Sequence, residues 1–338
     1  MNNVRRKFSL WIVAVSLLAG LAISAAAQAP APGHAPKAGP SVAPEAPVVR
    51  SRGDSTERAI TVDKNVNLTL CVTQGNLKIN GWSRGEIRVV IRDGSRFSFK
   101  TQYKNPTSGL PALVSVNGYD KKNYASECVW GDEVEIDAPA NATINVKGKE
   151  IHTSIDTVRK TAVNIIGGDI VLNNVAEGIS ASTGQGDITV EASTGPMVLE
   201  TTTGNVVVFD SGPREIGDIF RAKTNSGNLS LQQIIYRQLE VTSISGSVLF
   251  SGNVVDGASY SVTTTNGQIR LQLPTDSNFL LSAIFAAGNF ATEIPYKLLT
   301  ENLTSGSVKN INAKFGKGGA ESLVKLTTSN GSIGIKKL

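Results

Sequence analysis

The chain has 338 residues, 18% of them charged, and a formal net charge of +5, so it is long enough to bury a sizeable hydrophobic core. His34 lies in a proline-rich stretch, which leaves His152 in the folded part, and one histidine with two distant cysteines cannot fill a four-ligand zinc site without carboxylates. A Ser-His-Asp triad in the folded part would have to use the same His152. Composition therefore predicts no catalytic residue, no cofactor and no metal ligand.

The first 27 residues have the layout of a secretory signal peptide. The basic cluster Arg5-Arg6-Lys7 precedes an apolar run from Phe8 to about Ile23, and the small residues Ser24 to Ala27 follow. We expect cleavage after Ala27. The alternative is an uncleaved membrane anchor, although the run is shorter than the roughly 20 residues that a spanning helix needs. The sequence thus predicts an exported protein, periplasmic or at the cell surface or extracellular, with no transmembrane segment after cleavage.

Cleavage would also change the charge of the protein. Residues 1–27 carry three basic residues and no acidic residue, so the formal net charge falls from +5 to +2. A nearly neutral chain supplies little of the phosphate attraction that dominates nucleic-acid binding. We therefore expect no nucleic-acid partner.

Residues 28–56 form a proline-rich linker. The segment holds six of the 13 prolines, among alanine and glycine: Pro30, Pro32, Pro36, Pro40, Pro44 and Pro47. Such a composition favours extended polyproline II structure and buries almost no apolar surface. The linker is either a semi-rigid tether or a passive exit segment, and the folded region is residues 57–338.

The two cysteines stand 57 residues apart, at Cys71 and Cys128. In an oxidising compartment a single pair most often forms a disulfide. The alternative is two buried free thiols.

A short repeat is the clearest signal in the chain. A glycine, a small polar residue and then alternating apolar residues recur, with apolar residues alternating before the glycine as well. The apolar residues stand an odd number of positions before the glycine and an even number after it. This change indicates a corner between two strands that face one interior. Glycine tolerates the positive φ of such a corner. The predicted structural turns are Gly75, Gly168, Gly186, Gly204, Gly227, Gly246, Gly267 and Gly331, with weaker copies at Gly288 and Gly306.

One unit of about 21 residues cannot bury its own apolar face, whereas stacked units bury a continuous core. The sequence therefore predicts an all-β fold, a β-solenoid (parallel β-helix-like) of about 21-residue rungs and about 13 rungs in all. A propeller is the rival, but its blades would need two unlike half-units. We expect regular rungs over 161–338. Residues 57–160 would form the first rungs and a decorated N-terminal part that covers the open end, with Leu110 to Asn123 as a loop or insertion; a separate small β-domain is the alternative.

Acidic residues occur in two patterns. Asp169 and Asp187 take the same repeat position, where later copies have Asn or Ser, which favours turn capping of the local backbone over calcium binding. Glu133, Glu135 and Asp137 share one strand face. A solvated face is the plain interpretation of the second pattern, and a glycosidase-like acid pair is the alternative.

Basic residues alternate with aromatic residues from Arg96 to Lys104. Arg96, Lys100 and Lys104 share one parity, opposite Phe97 and Phe99. An ordinary amphipathic strand explains this pattern. The functional hypothesis is a ligand-binding strip for an anionic envelope polymer or a phospholipid headgroup.

Two segments carry a resemblance to a known family. The segment from Thr61 to Trp82, with Leu68-Thr69-Leu70 and Gly75-Asn76-Leu77-Lys78-Ile79, resembles the opening of a large bacterial family labelled putative adhesin, or β-strand-repeat domain of unknown function. Leu271-Gln272-Leu273-Pro274 with Phe279 to Leu281 resembles its rung-to-rung link. The resemblance implies the repeat fold and an envelope location. It transfers no site residue, because the family has no agreed catalytic residues.

The sequence as a whole favours a non-enzymatic envelope or secreted protein of binding or adhesin-like type, built on a rigid repeat. Its partner would be an envelope glycan, an anionic lipid or a surface protein. Two alternatives stay open: a periplasmic structural or envelope-stress-linked protein without an external ligand, and a polysaccharide-active β-helix enzyme such as a lyase. Lys336-Lys337-Leu338 directly follows the last strand pattern, so we expect no wall-sorting tail.

Overall fold

A computed structural model describes residues 55–102, 111–119, 128–304, 307–318 and 321–338. Every regular element of these residues is a β-strand, which confirms the all-β prediction. The predicted signal peptide, nearly all of the predicted linker, Lys104 and Gly306 lie outside the described residues.

Seven strands build the N-terminal part. They are β1 (Ser55–Thr61), β2 (Val66–Trp82), β3 (Glu86–Gly94), β4 (Arg96–Gln102), β5 (Ala112–Tyr119), β6 (Gly131–Pro139) and β7 (Thr143–Asp156). The long strand β2 pairs in parallel with β7 on one side and with β5 and then β6 on the other. β3 pairs antiparallel with β6, β1 with β3, and β4 with β5. The antiparallel strands thus lie outside the first parallel layers.

Leu110 to Asn123 was predicted as a loop or insertion, and the loop is wrong, because β5 occupies Ala112–Tyr119. Leu110 and residues 120–123 lie outside the described residues. The side chains of Ala112, Val114 and Val116 alternate inward and are buried, as in any half-buried strand. Pro106, Gly109 and Pro111 just before this short run, and Gly118 within the strand, made the alternation inconspicuous in the sequence.

The middle of the chain forms regular rungs, each made of two strands that meet at a glycine corner. The strands are β8 (Lys160–Gly167), β9 (Ile170–Asn173), β10 (Ile179–Gln185), β11 (Ile188–Glu191), β12 (Met197–Thr203), β13 (Val206–Ser211), β14 (Ile219–Ser226), β15 (Leu229–Ile234), β16 (Gln238–Ser245), β17 (Val248–Ser251), β18 (Ser259–Asn266) and β19 (Ile269–Leu273). Each strand pairs in parallel with its counterpart one rung away; Ile179, for example, pairs with Thr161 and with Met197. This parallel stacking is the predicted solenoid arrangement.

The C-terminal part departs from chain order. Its strands are β20 (Phe279–Ala287), β21 (Phe290–Thr292), β22 (Tyr296–Thr304), β23 (Val308–Phe315), β24 (Leu323–Asn330) and β25 (Ile333–Lys337). The last rung, β24 and β25, lies between the rung of β18 and β19 and the rung of β20 and β21. β23 then pairs antiparallel with β20, and β22 pairs antiparallel with β23. The parallel strands of the described residues form eleven layers, whereas the sequence predicts about 13 rungs. The difference arises because β1, β3, β4, β22 and β23 pair antiparallel and add no parallel layer.

Glycine carbonyls and threonine hydroxyls form a hydrogen-bonded column along the corners. The hydroxyl of Thr201 donates to the carbonyl of Gly186 at 2.9 Å, and the hydroxyl of Thr183 donates to the carbonyl of Gly168 at 3.1 Å. The same bond recurs at Thr224, Ser243, Thr264 and Thr328. At these six corners, the buried hydroxyl three residues before the glycine therefore satisfies a carbonyl of the adjacent rung.

Replacing Thr201 by valine is expected to lower the free energy of unfolding by about 1–2 kcal/mol, because the carbonyl of Gly186 loses a donor at a partly buried site. Thr202→Val is the matched control, since Thr202 is exposed on the same strand. Urea denaturation of the two variants measures the difference. Equal stability of both variants would contradict the structural role of the hydroxyl column.

The polar residue after each glycine forms a second column. The carboxylate of Asp169 accepts the backbone N–H of Asp187 at 2.9 Å, and Asp187 accepts that of Asn205 at 2.7 Å. These bonds reach the next rung, whereas the sequence suggested bonds to the local backbone. Among the described residues there is no group of three or more acidic, histidine or cysteine residues that could hold a metal ion.

Candidate binding surface

The predicted basic strip lies on β4, an edge strand that pairs along its length only with β5. Arg96 and Lys100 are exposed, Phe97 is fully buried and Phe99 is partly buried. The described part of the strip therefore has the geometry of an amphipathic strand. Lys104 lies outside the described residues, and ligand binding by the strip stays a prediction.

The acidic face of β6 is occupied by arginines of the neighbouring strand β3. Arg92 binds Glu133 and also reaches Glu135 at 3.3 Å, and Arg88 binds Asp137 at 3.1 Å. Hydrogen bonds to Glu57 and Asp137 raise the pKa of Arg88. The three acids thus act as partners in ion pairs. The sequence places the three acids on one strand face, but no local pattern places β3 beside β6.

Cys71 and Cys128 form a disulfide in the structure, with their Cα atoms 4.4 Å apart. The bond joins β2 to the residue before Val129, which bridges Val72. It therefore ties the long strand β2 to the entry of β6. That the two cysteines are bridged in the isolated protein stays a prediction.

The clearest exposed surface lies at the C-terminal end, on the edge strand β22. Of the twelve large hydrophobic residues that are exposed in the described chain, four lie on β22, namely Tyr296, Leu298, Leu299 and Leu303, and a fifth, Leu323 of β24, lines a cavity with Leu299. Leu303 is 73% exposed, the highest value among the five. We name this set, together with Lys297, Lys314 and Lys317, the C-terminal cap surface. Soluble proteins rarely leave contiguous apolar side chains in water without a binding role.

The apolar residues of β22 lie on both faces of the strand. Tyr296 pairs with Phe315 and Leu298 pairs with Ala313, both of which are buried residues of the inner face. The register then shifts at a bulge between Leu298 and Thr300, which leaves Leu299 without a partner in the register. Leu299 lines a cavity of about 370 Å³ with outer-face residues, including Leu323. The edge strand thus presents leucine side chains to either side.

Lysines gather at the start of β22. Lys297 and Lys314 are direct cross-strand partners, and both line a cavity of about 680 Å³ with Lys317, Tyr296 and Asp276. None of the three lysines forms an ion pair with any residue that the structure describes. Like charges directly opposite one another in a sheet destabilise the pair. An anion bound between them would remove this cost.

Sequence reasoning missed the C-terminal cap surface. The run from Tyr296 to Thr304 has apolar residues at both parities, so it lacks the alternation that identifies a half-buried strand. Its position at a sheet edge depends on the pairing of β23 with β20, which no local pattern encodes. The one available signal was that Leu298, Leu299 and Leu303 follow Lys297 without the spacing of a half-buried strand or helix.

The parallel two-strand rungs define the protein as a β-solenoid. Residues 131–336, more than half of the chain, match the model of the Toastrack DUF4097 family, and the chain belongs to this family. The family resemblance stated from the sequence is thereby confirmed, although the match begins after the segment 61–82 that first suggested it. No protein of curated function matches the chain.

Several solved structures resemble the fold. A putative adhesin from Parabacteroides distasonis ATCC 8503 is 8% identical, with 85% of this chain and 98% of that chain covered and a TM-score of 0.45. A putative adhesin from Bacteroides fragilis NCTC 9343 is 10% identical, with 84% and 97% covered and a TM-score of 0.35. A putative lipid binding protein from P. distasonis ATCC 8503 is 10% identical, with 84% and 97% covered and a TM-score of 0.36. At these identities the likeness concerns the fold alone.

Within the described ranges, the chain contains no helix of the length and apolarity needed to cross a bilayer.

Proposed function

We propose that the chain is an exported, non-enzymatic binding protein of the bacterial cell envelope, in which the solenoid is a rigid scaffold for the C-terminal cap surface. One observation carries the proposal: an edge strand exposes Tyr296, Leu298, Leu299 and Leu303 beside three lysines that have no ion-pair partner in the described chain. Such a surface combines apolar contact area with positive charge. It suits a partner that is both apolar and anionic.

Export is supported by the N-terminal segment. Residues 1–27 have the layout of a signal peptide, and residues 28–56 have the composition of an extended tether. The disulfide between Cys71 and Cys128 fits an oxidising compartment. These features favour the periplasm or the cell surface.

A binding role rather than catalysis is supported by the state of the acidic and basic groups. Glu133 and Asp137 are engaged by arginines, and His152 lies on the surface with its Nδ1 atom 3.4 Å from a carboxylate oxygen of Asp169. A general acid or base has to be placed beside a substrate-sized cleft with its proton free to move. The ion-paired acids of β6 do not offer that arrangement.

The triple variant Leu298→Ser, Leu299→Ser and Leu303→Ser is expected to bind isolated bacterial envelopes at least about tenfold more weakly than the unaltered protein, because each leucine contributes transfer free energy on burial. The matched control replaces Ile166, Ile216 and Ile235, which are exposed elsewhere on the solenoid, by serine. Sedimentation of each protein with envelopes measures the binding. Equal binding by the two triple variants would contradict a role for the cap surface.

Location is tested by fractionation of cells and by protease treatment of intact cells. Loss of the protein from intact cells would place it on the surface. Protection until the outer envelope is opened would place it in the periplasm and end the adhesin interpretation. Recovery in the cytoplasm with residues 1–27 intact would refute export.

A further inference from the structure

We infer that the C-terminal cap surface binds the interfacial layer of a lipid bilayer that contains anionic phospholipids. The inference rests on the proposed binding function and names its ligand. Its basis is the arrangement of leucines and lysines on β22 and β23, which differs from the arrangement that a folded protein partner would require.

The placement of the leucines on two faces argues for a fluid partner. Leu298 and Leu303 lie on the face of the buried residues Ala313 and Ile311, whereas Leu299 lines a cavity on the opposite face together with Leu323. A folded protein that packs on one face of the edge strand would leave the other face in water. The acyl and headgroup boundary of a bilayer surrounds a protruding edge and covers both faces at once.

The lysines supply the second requirement, which is affinity for anionic headgroups. Lys297, Lys314 and Lys317 line the same cavity beside Tyr296, and Lys297 and Lys314 are opposed across the two strands. Phosphate groups at the bilayer surface would lie between these ammonium groups and relieve their mutual repulsion. The cavity of about 680 Å³ is open to solvent at the base of the leucine-bearing strand, so charge and apolar area adjoin.

A second copy of the chain fits this edge less well. Addition of a strand requires a regular row of free N–H and C=O groups, and the register shift between Leu298 and Thr300 interrupts that row. Bulges of this kind are a common protection of sheet edges. In any pairing that brings the same end of a second copy against this edge, Lys297 and Lys314 would also face the same two lysines of that copy and be repelled by them.

The depth of insertion follows from the backbone of β22. Its outward N–H and C=O groups lack partners in the sheet, so they have to stay hydrated and cannot enter the hydrocarbon core. Only the side chains of Leu298, Leu299, Leu303 and Tyr296 pass below the headgroups. The lysines extend their ammonium groups back to the phosphates. Binding is therefore interfacial, reversible and sensitive to salt.

The test mixes the exported form of the protein, as it is left after cleavage of the signal peptide, with vesicles of phosphatidylcholine, with or without phosphatidylglycerol. The protein is expected to sediment with the anionic vesicles and far less with the neutral ones. Replacing Lys297, Lys314 and Lys317 by glutamine is expected to weaken binding about fivefold per lysine, roughly a hundredfold together. The leucine triple variant described above is expected to lose at least about tenfold.

A matched control separates the site from the total charge. The variant Lys147→Gln, Lys160→Gln and Lys223→Gln removes the same charge from exposed positions elsewhere and is expected to bind anionic vesicles almost as well as the unaltered protein. An equal loss in this control would overturn the assignment of the site. Thermal unfolding of each variant shows that the loss does not come from unfolding.

Two further outcomes distinguish the lipid inference from the proposed function. If the protein binds envelopes but no vesicle, the ligand is not lipid, while the envelope-binding proposal stands. If it binds neither envelopes nor vesicles, both are refuted. If it binds anionic vesicles and the cap variants bind them equally well, the lipid class is right but the cap surface is wrong.

Discussion

Replacement of Gly186 by alanine is expected to lower the free energy of unfolding by at least about 4 kcal/mol. Gly186 stands at a corner with φ of +143°, a conformation that L-residues rarely adopt. A Cβ atom built on it would lie 2.1 Å from the carbonyl oxygen of Gly168 and 2.5 Å from its carbonyl carbon. Both atoms belong to the backbone of the rung below, so the clash can be relieved only by separating two rungs. The hydroxyl of Thr183 also binds this carbonyl oxygen.

Gly217→Ala is the matched control. Gly217 lies in the exposed link before β14, and a Cβ atom there would meet nothing within 4 Å. Its stability is expected to stay within about 0.5 kcal/mol of the parent. The melting temperature of Gly186→Ala should fall by at least about 8 °C, because 1 kcal/mol corresponds to about 2–4 °C in a domain of this size. A melting temperature equal to that of the control would refute the close stacking of the corner glycines.

Joint replacement of Cys71 and Cys128 by alanine is expected to lower the free energy of unfolding by about 4 kcal/mol, since the bond closes a loop of 57 residues in the unfolded chain. The bond also joins β2 to the segment directly before β6, and β2 and β6 are neighbouring parallel strands of the outer layers. Its loss should therefore loosen the N-terminal end of the stack first. Denaturant unfolding of the unaltered protein and of the double variant measures the difference.

Reductant provides the control for the disulfide. It should destabilise the unaltered protein by a similar amount and leave the double variant unchanged, because only Cys71 and Cys128 can respond. Alkylation of the unfolded protein without reductant should label no thiol. Labelling of both cysteines under that condition would show two free thiols, and the expected loss of stability in the double variant would then have no basis.

The corners and the rungs were predictable because their signal is local. Each rung repeats the same short pattern around its glycine. At Gly186, for example, the buried hydroxyl of Thr183 stands three residues before the glycine and the buried Ile188 stands two residues after it. The corner of β7 was not predicted, since Ile151 takes the position that Gly75 has in the paired strand β2. A search for glycine alone cannot find that corner.

The order of the layers at the two ends was not predictable. The apolar pattern of β24, with Val324 and Leu326 buried, is the same as that of β18, with Tyr260 and Val262 buried. Any such strand fits against any other, so the pattern does not say which rung lies next to which. The observed order goes with the antiparallel pairing of β23 with β20 and of β22 with β23, and these pairings are long-range properties.

The binding surface was only partly foreseeable. The sequence suggested a ligand-binding strip at Arg96, Lys100 and Lys104, where basic residues alternate with aromatic residues. The structure shows Arg96 and Lys100 exposed on an edge strand. The C-terminal cap surface depends on which strand lies at the other edge. Exposure of Leu298 and Leu303 follows from that position and not from their immediate neighbours in sequence.

The position of β2 and β25 inside the stack has a mechanical consequence. Repeat proteins usually unravel from their terminal repeats, because a terminal repeat has one neighbour. Here tension on the C-terminus pulls β25, which is bonded to β19 on one side and β21 on the other. Tension from the N-terminal side reaches β2 after β1 has peeled away, and β2 is also bonded on both sides. A pulling force thus shears two rows of hydrogen bonds together, so the scaffold is built to resist extension between its ends.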